Sequence, residues 1–63
     1  MLTPKEKILI QEVLKGKTSK EIAHELHHSV RTIEGIRIIL MNKLNCKSLY
    51  EVIGICFRKK WIE

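Results

Sequence analysis

Four helix starts are written into a chain of only 63 residues, and that crowding leaves room for little besides short helices packed on one another. Thr3-Pro4-Lys5-Glu6 has the form of a capping box. The threonine oxygen accepts from the amide three residues on, the glutamate there returns a bond to the threonine amide, and proline takes the first helical position. Thr18-Ser19-Lys20-Glu21 and Ser48-Leu49-Tyr50-Glu51 repeat the pattern. Ser29-Val30-Arg31-Thr32 is a weaker version, with threonine where the others have glutamate, yet Ser29 remains a good N-cap.

The stretches after these caps carry helical periodicity. Ile8, Leu9 and Val13, then Ile22, Ala23 and Leu26, then Ile33, Ile36, Leu40 and Leu44, are the expected core faces of the first three helices. Ile53, Cys56 and Phe57 are the expected core face of the fourth. Gly16 stands where the first helix should stop and Asn45 where the third should, both residues that tolerate the left-handed conformation of a helix end. The spacing predicts helices at about 4–15, 19–26, 30–44 and 49–59. Trp61 and Ile62 are expected to fold back and close the core. With one proline, three glycines, no repeat and no low-complexity stretch, residues 1–63 form one all-α domain without a linker.

Several function classes drop out at this size. A single small core supplies only about 3–5 kcal/mol of net stability, which leaves little structure for a catalytic cleft. No apolar run approaches the ~18 residues a membrane span needs, and the N-terminus lacks a secretory leader's apolar stretch and cleavage site, so a cytoplasmic location is expected. Cys46 and Cys56 stand ten apart without a CxxC pair, arguing against a disulfide framework or zinc finger and for two buried small hydrophobes. Twelve Lys and Arg against seven Asp and Glu leave a net charge of +5. That surplus suits an anionic partner or a merely solvated surface, and composition does not choose between them.

One motif points elsewhere. His24-Glu25-Leu26-His27-His28 matches the HExxH pattern of zinc metalloproteases, which requires both histidines on consecutive turns of one helix. Ser29, however, is the best N-cap of the next helix, so the chain must leave helical geometry at about His28. A zinc site also needs a third ligand and an open position, for which only the cysteines and scattered carboxylates are at hand. No metal, no cofactor and no enzymatic activity are therefore expected; His28 reads as a half-buried turn residue and His24 as an exposed one.

A short helix, a connection of about three residues and a longer helix are the layout of a helix-turn-helix, with small Ala23 permitting close approach. The stretches "LTPKEKIL", "GKTSKEIAHEL", "SVRTIEGIR" and "LMNKLNCKS" resemble, in order and spacing, the LuxR/GerE-type DNA-binding domain, also found as the output module of NarL/FixJ-type response regulators. The resemblance rests on Leu2-Thr3-Pro4-x-Glu6, Lys20-Glu21-Ile22-Ala23 with Leu26, Ser29-x-x-Thr32-Ile33, and Lys43-Leu44. It implies a bacterial transcription regulator whose third helix enters the major groove and whose fourth commonly mediates dimerisation. The chain departs from the pattern at Ile36, where histidine is frequent, and at Ile38 and Ile39, where polar residues are usual. Gly35, in mid-helix, costs about 1 kcal/mol relative to alanine.

Projecting the third helix at about 100° per residue turns Ile33, Ile36, Leu40 and Leu44 inward and Arg31, Gly35, Ile38 and Asn42 outward, with Glu34, Ile39 and Thr32 flanking. Base readout is assigned to Arg31 toward guanine, Glu34 toward cytosine, Ile38 toward thymine methyls, and Gly35 for close approach. Phosphate contacts are assigned to Thr18, Ser19, Lys20, Ser29, Thr32, Arg37 and Lys43. Glu51, Gly54, Ile55 and Arg58 form a second stripe on the fourth helix, assigned to a homodimer on an inverted-repeat site. The expected partners are double-stranded DNA, a second copy of the chain and, as for regulators in general, RNA polymerase. A helical protein-interaction module or sigma-factor-region-like domain is the alternative, separable from the first reading by the salt dependence of DNA binding.

Overall fold

The computed structural model describes residues 1–62 and contains four helices: α1 (Pro4–Leu14), α2 (Ser19–Glu25), α3 (Val30–Lys43) and α4 (Leu49–Arg58). Each follows the N-cap read from the sequence. Thr3 and Thr18 form complete capping boxes with Glu6 and Glu21. Ser29 caps α3 by accepting from the Thr32 amide at 3.1 Å. Ser48 caps α4 in only half of the expected box: its Oγ accepts from the Glu51 amide, but the Glu51 carboxylate takes the Lys47 amide instead of the Ser48 amide. Ser48 has φ −145°, against −73° and −79° at Thr3 and Thr18, and this directs its N–H away from the glutamate.

All four helices end in the same closure. The residue after the C-cap is left-handed, at Gly16 (φ 86°), His27 (58°), Asn45 (55°) and Lys60 (59°). The next amide then returns to a carbonyl five residues back: Lys17 to Glu12 at 3.3 Å, His28 to Ala23 at 2.9 Å, Cys46 to Met41 at 2.8 Å and Trp61 to Cys56 at 2.9 Å. These are Schellman motifs, which satisfy carbonyls that a helix end would otherwise leave bare.

The core is two joined clusters. Leu9, Ile22, Ala23 and Ile33 pack where α1, α2 and α3 meet, and Ile10, Leu40, Leu49, Val52, Cys56 and Ile62 pack where α1, α3 and α4 meet. Ile62 is buried and Trp61 half-buried against the second cluster, as the sequence predicts. Cys56 is fully buried, which pushes its thiol pKa up, and Cys46 is half-buried.

Three core assignments are corrected. In α1 the buried stripe is Glu6, Leu9, Ile10 and half-buried Val13, while Ile8 is exposed. This is an i, i+3, i+4, i+7 pattern whose first member is charged, so apolar residues alone find Leu9 and Val13 but take in Ile8 and leave out Ile10. In α4 the buried stripe is Leu49, Val52 and Cys56; Ile53 is at its edge and Phe57, about 100° further round than Cys56, is exposed. His28 is exposed rather than half-buried, because Leu26 covers the Leu9–Ile22–Ile33 cluster at the turn.

Glu6 is buried for a reason. Its Oε1 accepts from the Thr3 amide at 2.9 Å and from the Lys43 Nζ at 2.7 Å, tying the start of α1 to the end of α3. Burial works to raise the Glu6 pKa, but the Lys43 ammonium and the Thr3 amide outweigh it and hold the carboxyl below its ordinary range. A second tie is Lys17, whose Nζ lies 2.7 Å from Glu12 Oε1 and also contacts Glu25, joining the ends of α1 and α2. Hydrogen bonds from Lys17 and Lys15 bring Glu12 down to about 2.

Candidate nucleic-acid interface

The geometry of α2, the turn and α3 settles what each candidate residue is free to do. At the end of α2 the left-handed His27 reverses the chain, and the His28 amide closes on Ala23. His24 and His28 therefore do not occupy consecutive turns of one helix, as the HExxH pattern demands. Among the described residues, no three His, Cys, Asp or Glu side chains converge as a metal site.

α3 packs on α1, α2 and α4 through its inner face, where Ile33 and Leu40 are buried and Ile36 and Leu44 half-buried. Its opposite face is open. Arg31, Thr32 and Asn42 are exposed, Ile38 is 53% and Ile39 62% exposed, and Glu34 and Gly35 are half-buried. Arg31 has no ion-pair partner among the described residues. A Cβ built on Gly35 would meet nothing within 4 Å, so no internal contact requires glycine there.

The residues assigned to phosphate divide into free and engaged groups. Lys20 is exposed and unpaired among the described residues. Arg37 is half-buried at the edge of the core, with Nη1 at 3.5 Å from Ser19 Oγ and Nε at 3.6 Å from Glu34 Oε2. That bridge brings two of the candidates, Ser19 of α2 and Arg37 of α3, onto one surface. Lys43 is held by Glu6 and reaches an anion only by leaving or sharing that carboxylate.

The two helix N-termini differ in charge. At α2 the Glu21 carboxylate already lies on the Thr18 amide at 2.9 Å, and the hydrogen bonds with Thr18 lower the Glu21 pKa. At α3 the equivalent position is Thr32, whose hydroxyl pairs with Ser29 Oγ at 2.9 Å, and no acidic residue occupies the first turn. The other three helices each carry a glutamate there. The positive end of the α3 dipole is thus uncompensated by the chain itself.

On α4, Glu51, Gly54, Ile55 and Arg58 line one shallow groove together with Tyr50, which is 86% exposed. The Arg58 guanidinium lies over Gly54, 3.7 Å from where a Cβ would sit. Tyr50 belongs to this surface and was not in the expected stripe; an aromatic residue directly after a helix's first position is the only cue the sequence offers for it. No described helix is long and apolar enough to cross a membrane.

Known regulatory proteins are similar to this chain over nearly its whole length. The transcriptional regulatory protein ComA of Bacillus subtilis (strain 168) is 47% identical over 55 residues, covering 87% of this chain and 26% of ComA. The oxygen regulatory protein NreC of Staphylococcus carnosus (strain TM300) is 35% identical over 63 residues, covering 100% of this chain and 29% of NreC. The chain therefore spans less than a third of the length of these curated relatives. No solved structure matches it significantly. The profile of the bacterial regulatory proteins of the luxR family matches residues 1–56, and with that coverage the chain belongs to this family, as a DNA-binding regulator domain of the helix-turn-helix type and not an enzyme.

Proposed function

We propose that the chain binds double-stranded DNA sequence-specifically, with α3 in the major groove, as the DNA-contacting part of a transcription regulator such as a response regulator. The observation that carries this reading is the bare outer face of α3, which the domain's own interior leaves uncovered from Arg31 to Asn42. Arg31 donates to guanine O6 and N7, Glu34 accepts from cytosine N4, and Gly35 and Ile38 lie against base edges. The uncompensated N-terminus of α3, with Ser29 and Thr32, takes one phosphate, and Thr18, Ser19, Lys20 and Arg37 flank the neighbouring backbone. Lys43 joins them where a phosphate displaces Glu6 or shares the Lys43 ammonium with it. The α4 groove of Glu51, Gly54, Ile55 and Arg58 pairs with its copy in a second chain, placing two α3 helices on an inverted repeat. RNA polymerase would be a further partner of the full regulator.

Salt titration with duplex DNA tests this. Each of Lys20, Arg37 and Lys43 that neutralises a phosphate adds about −0.9 to the slope of log affinity against log salt, so a slope near −2.7 per chain is expected when all three engage. Selection of bound sites from random duplexes, repeated with Arg31→Ala, should lose preference at one base position, a change of about 1–3 kcal/mol there. A flat salt response, or no duplex bound at low salt, refutes the proposal in favour of a protein-interaction module.

A further inference from the structure

The outer face of α3 carries two large exposed aliphatic side chains, Ile38 and Ile39, on a surface otherwise built for a highly charged partner. They are three and four residues beyond Gly35, so both project from the turn after it, one to each side of the missing side chain. Arg31 lies one turn before Gly35 on the same face. Gly35 itself is unpacked, with open space where a Cβ would be. By helical projection the three positions outline a notch, with open backbone between two exposed apolar side chains and Arg31 one turn away.

Exposing two isoleucines to water stabilises nothing, and glycine at this position weakens the helix. No internal contact requires glycine at position 35, and both isoleucines stand more than half exposed. An exposed apolar pair beside open backbone matches one feature of the major groove: the 5-methyl group of a pyrimidine, the sole apolar projection on a base edge there. We infer that the Gly35–Ile38–Ile39 notch is a receptacle for a pyrimidine 5-methyl group, and that this chain reads its site in part through methyls carried by thymine or by 5-methylcytosine. This rests on the proposed docking of α3 and extends it to Ile39, for which base readout had not been assigned. Removing a methyl from such a pocket strips one buried apolar carbon, which corresponds to about a fourfold loss in affinity per methyl.

The test uses a duplex selected by the 63-residue chain, in which each thymine is replaced in turn by deoxyuridine, a change that removes the methyl and keeps every hydrogen-bonding group. At one or two positions affinity should fall about fourfold, and that discrimination should vanish in an Ile38→Ser/Ile39→Ser variant, both positions being exposed enough to leave the fold intact. Cytosine and 5-methylcytosine at the same positions separate the two methyl sources: 5-methylcytosine should bind more tightly than cytosine by a similar factor. Equal binding of thymine and uracil duplexes at every position, with Arg31-dependent selection intact, overturns the receptacle and leaves the DNA reading standing. Failure to bind any duplex overturns both.

Discussion

Gly35→Ala is expected to make the domain more stable and a poorer DNA binder, a combination few substitutions produce. Gly35 is the sixth residue of a 14-residue helix, where glycine costs about 1 kcal/mol relative to alanine through backbone entropy. Strain normally subtracts from the gain when a Cβ is added, but here the new carbon meets nothing within 4 Å, so the whole of it should appear. In a domain of this size about 1 kcal/mol corresponds to a rise in Tm of roughly 4–8 °C, readable from the helical circular dichroism signal on heating. Affinity for a selected duplex, measured in parallel at fixed salt, should fall, because the methyl occupies the space a base edge needs. A Tm that is unchanged or lowered would show that Gly35 serves the fold after all. A Tm that rises with affinity unchanged would show that nothing approaches α3 closely at this point.

Further outcomes follow from the helix ends and the buried carboxylate. Thr32→Glu should complete the capping box of α3 and stabilise the domain by up to about 1 kcal/mol, while lowering DNA affinity severalfold at low salt, since it places a carboxylate where a phosphate is proposed; binding that survives unaltered would remove the phosphate from that N-terminus. His27→Gly should stabilise by about 0.5–1 kcal/mol, the left-handed strain relieved less the extra freedom given to the unfolded chain, and a fall in Tm would contradict the His27 geometry. The folded Glu6 carboxyl titrates below its ordinary value of 4.5, so its stabilisation is complete above that pH and is lost as pH falls through the folded value. Glu12, held at about 2, acts in the same sense over the interval below 4.5. Thermal melts from pH 7 downward should therefore show Tm falling below about pH 4.5. Glu6→Gln should cost about 1–2 kcal/mol at neutral pH, an amount discounted for the half-exposed Lys43, and flatten the acid limb; an identical pH profile in that variant would refute the coupling.

The helix starts were legible because a cap is local chemistry: Thr3, Thr18, Ser29 and Ser48 each announce themselves within four residues. Helix ends were legible only where the left-handed residue was glycine or asparagine, at Gly16 and Asn45. His27 and Lys60 adopt the same conformation with no signal in their residue type, being held there by the closure around them. The outward face of α3 followed from periodicity alone, but the engagement of Lys43 did not, because its partner Glu6 is 37 residues away in sequence. The same distance in sequence hid the burial of Glu6 and so shifted the expected face of α1. Lys17 was likewise unreadable: its carboxylate partners belong to two helices that only the fold brings together.

The four identical helix closures also bear on time. Because each is made by an amide and a carbonyl five residues apart, no helix depends on a distant segment to finish its backbone, and distant segments contribute only grease and a few ion pairs. Chains organised by such near-neighbour bonds assemble in microseconds to milliseconds. A segment dislodged by a passing contact would thus regain its shape within that interval, without waiting on any remote partner.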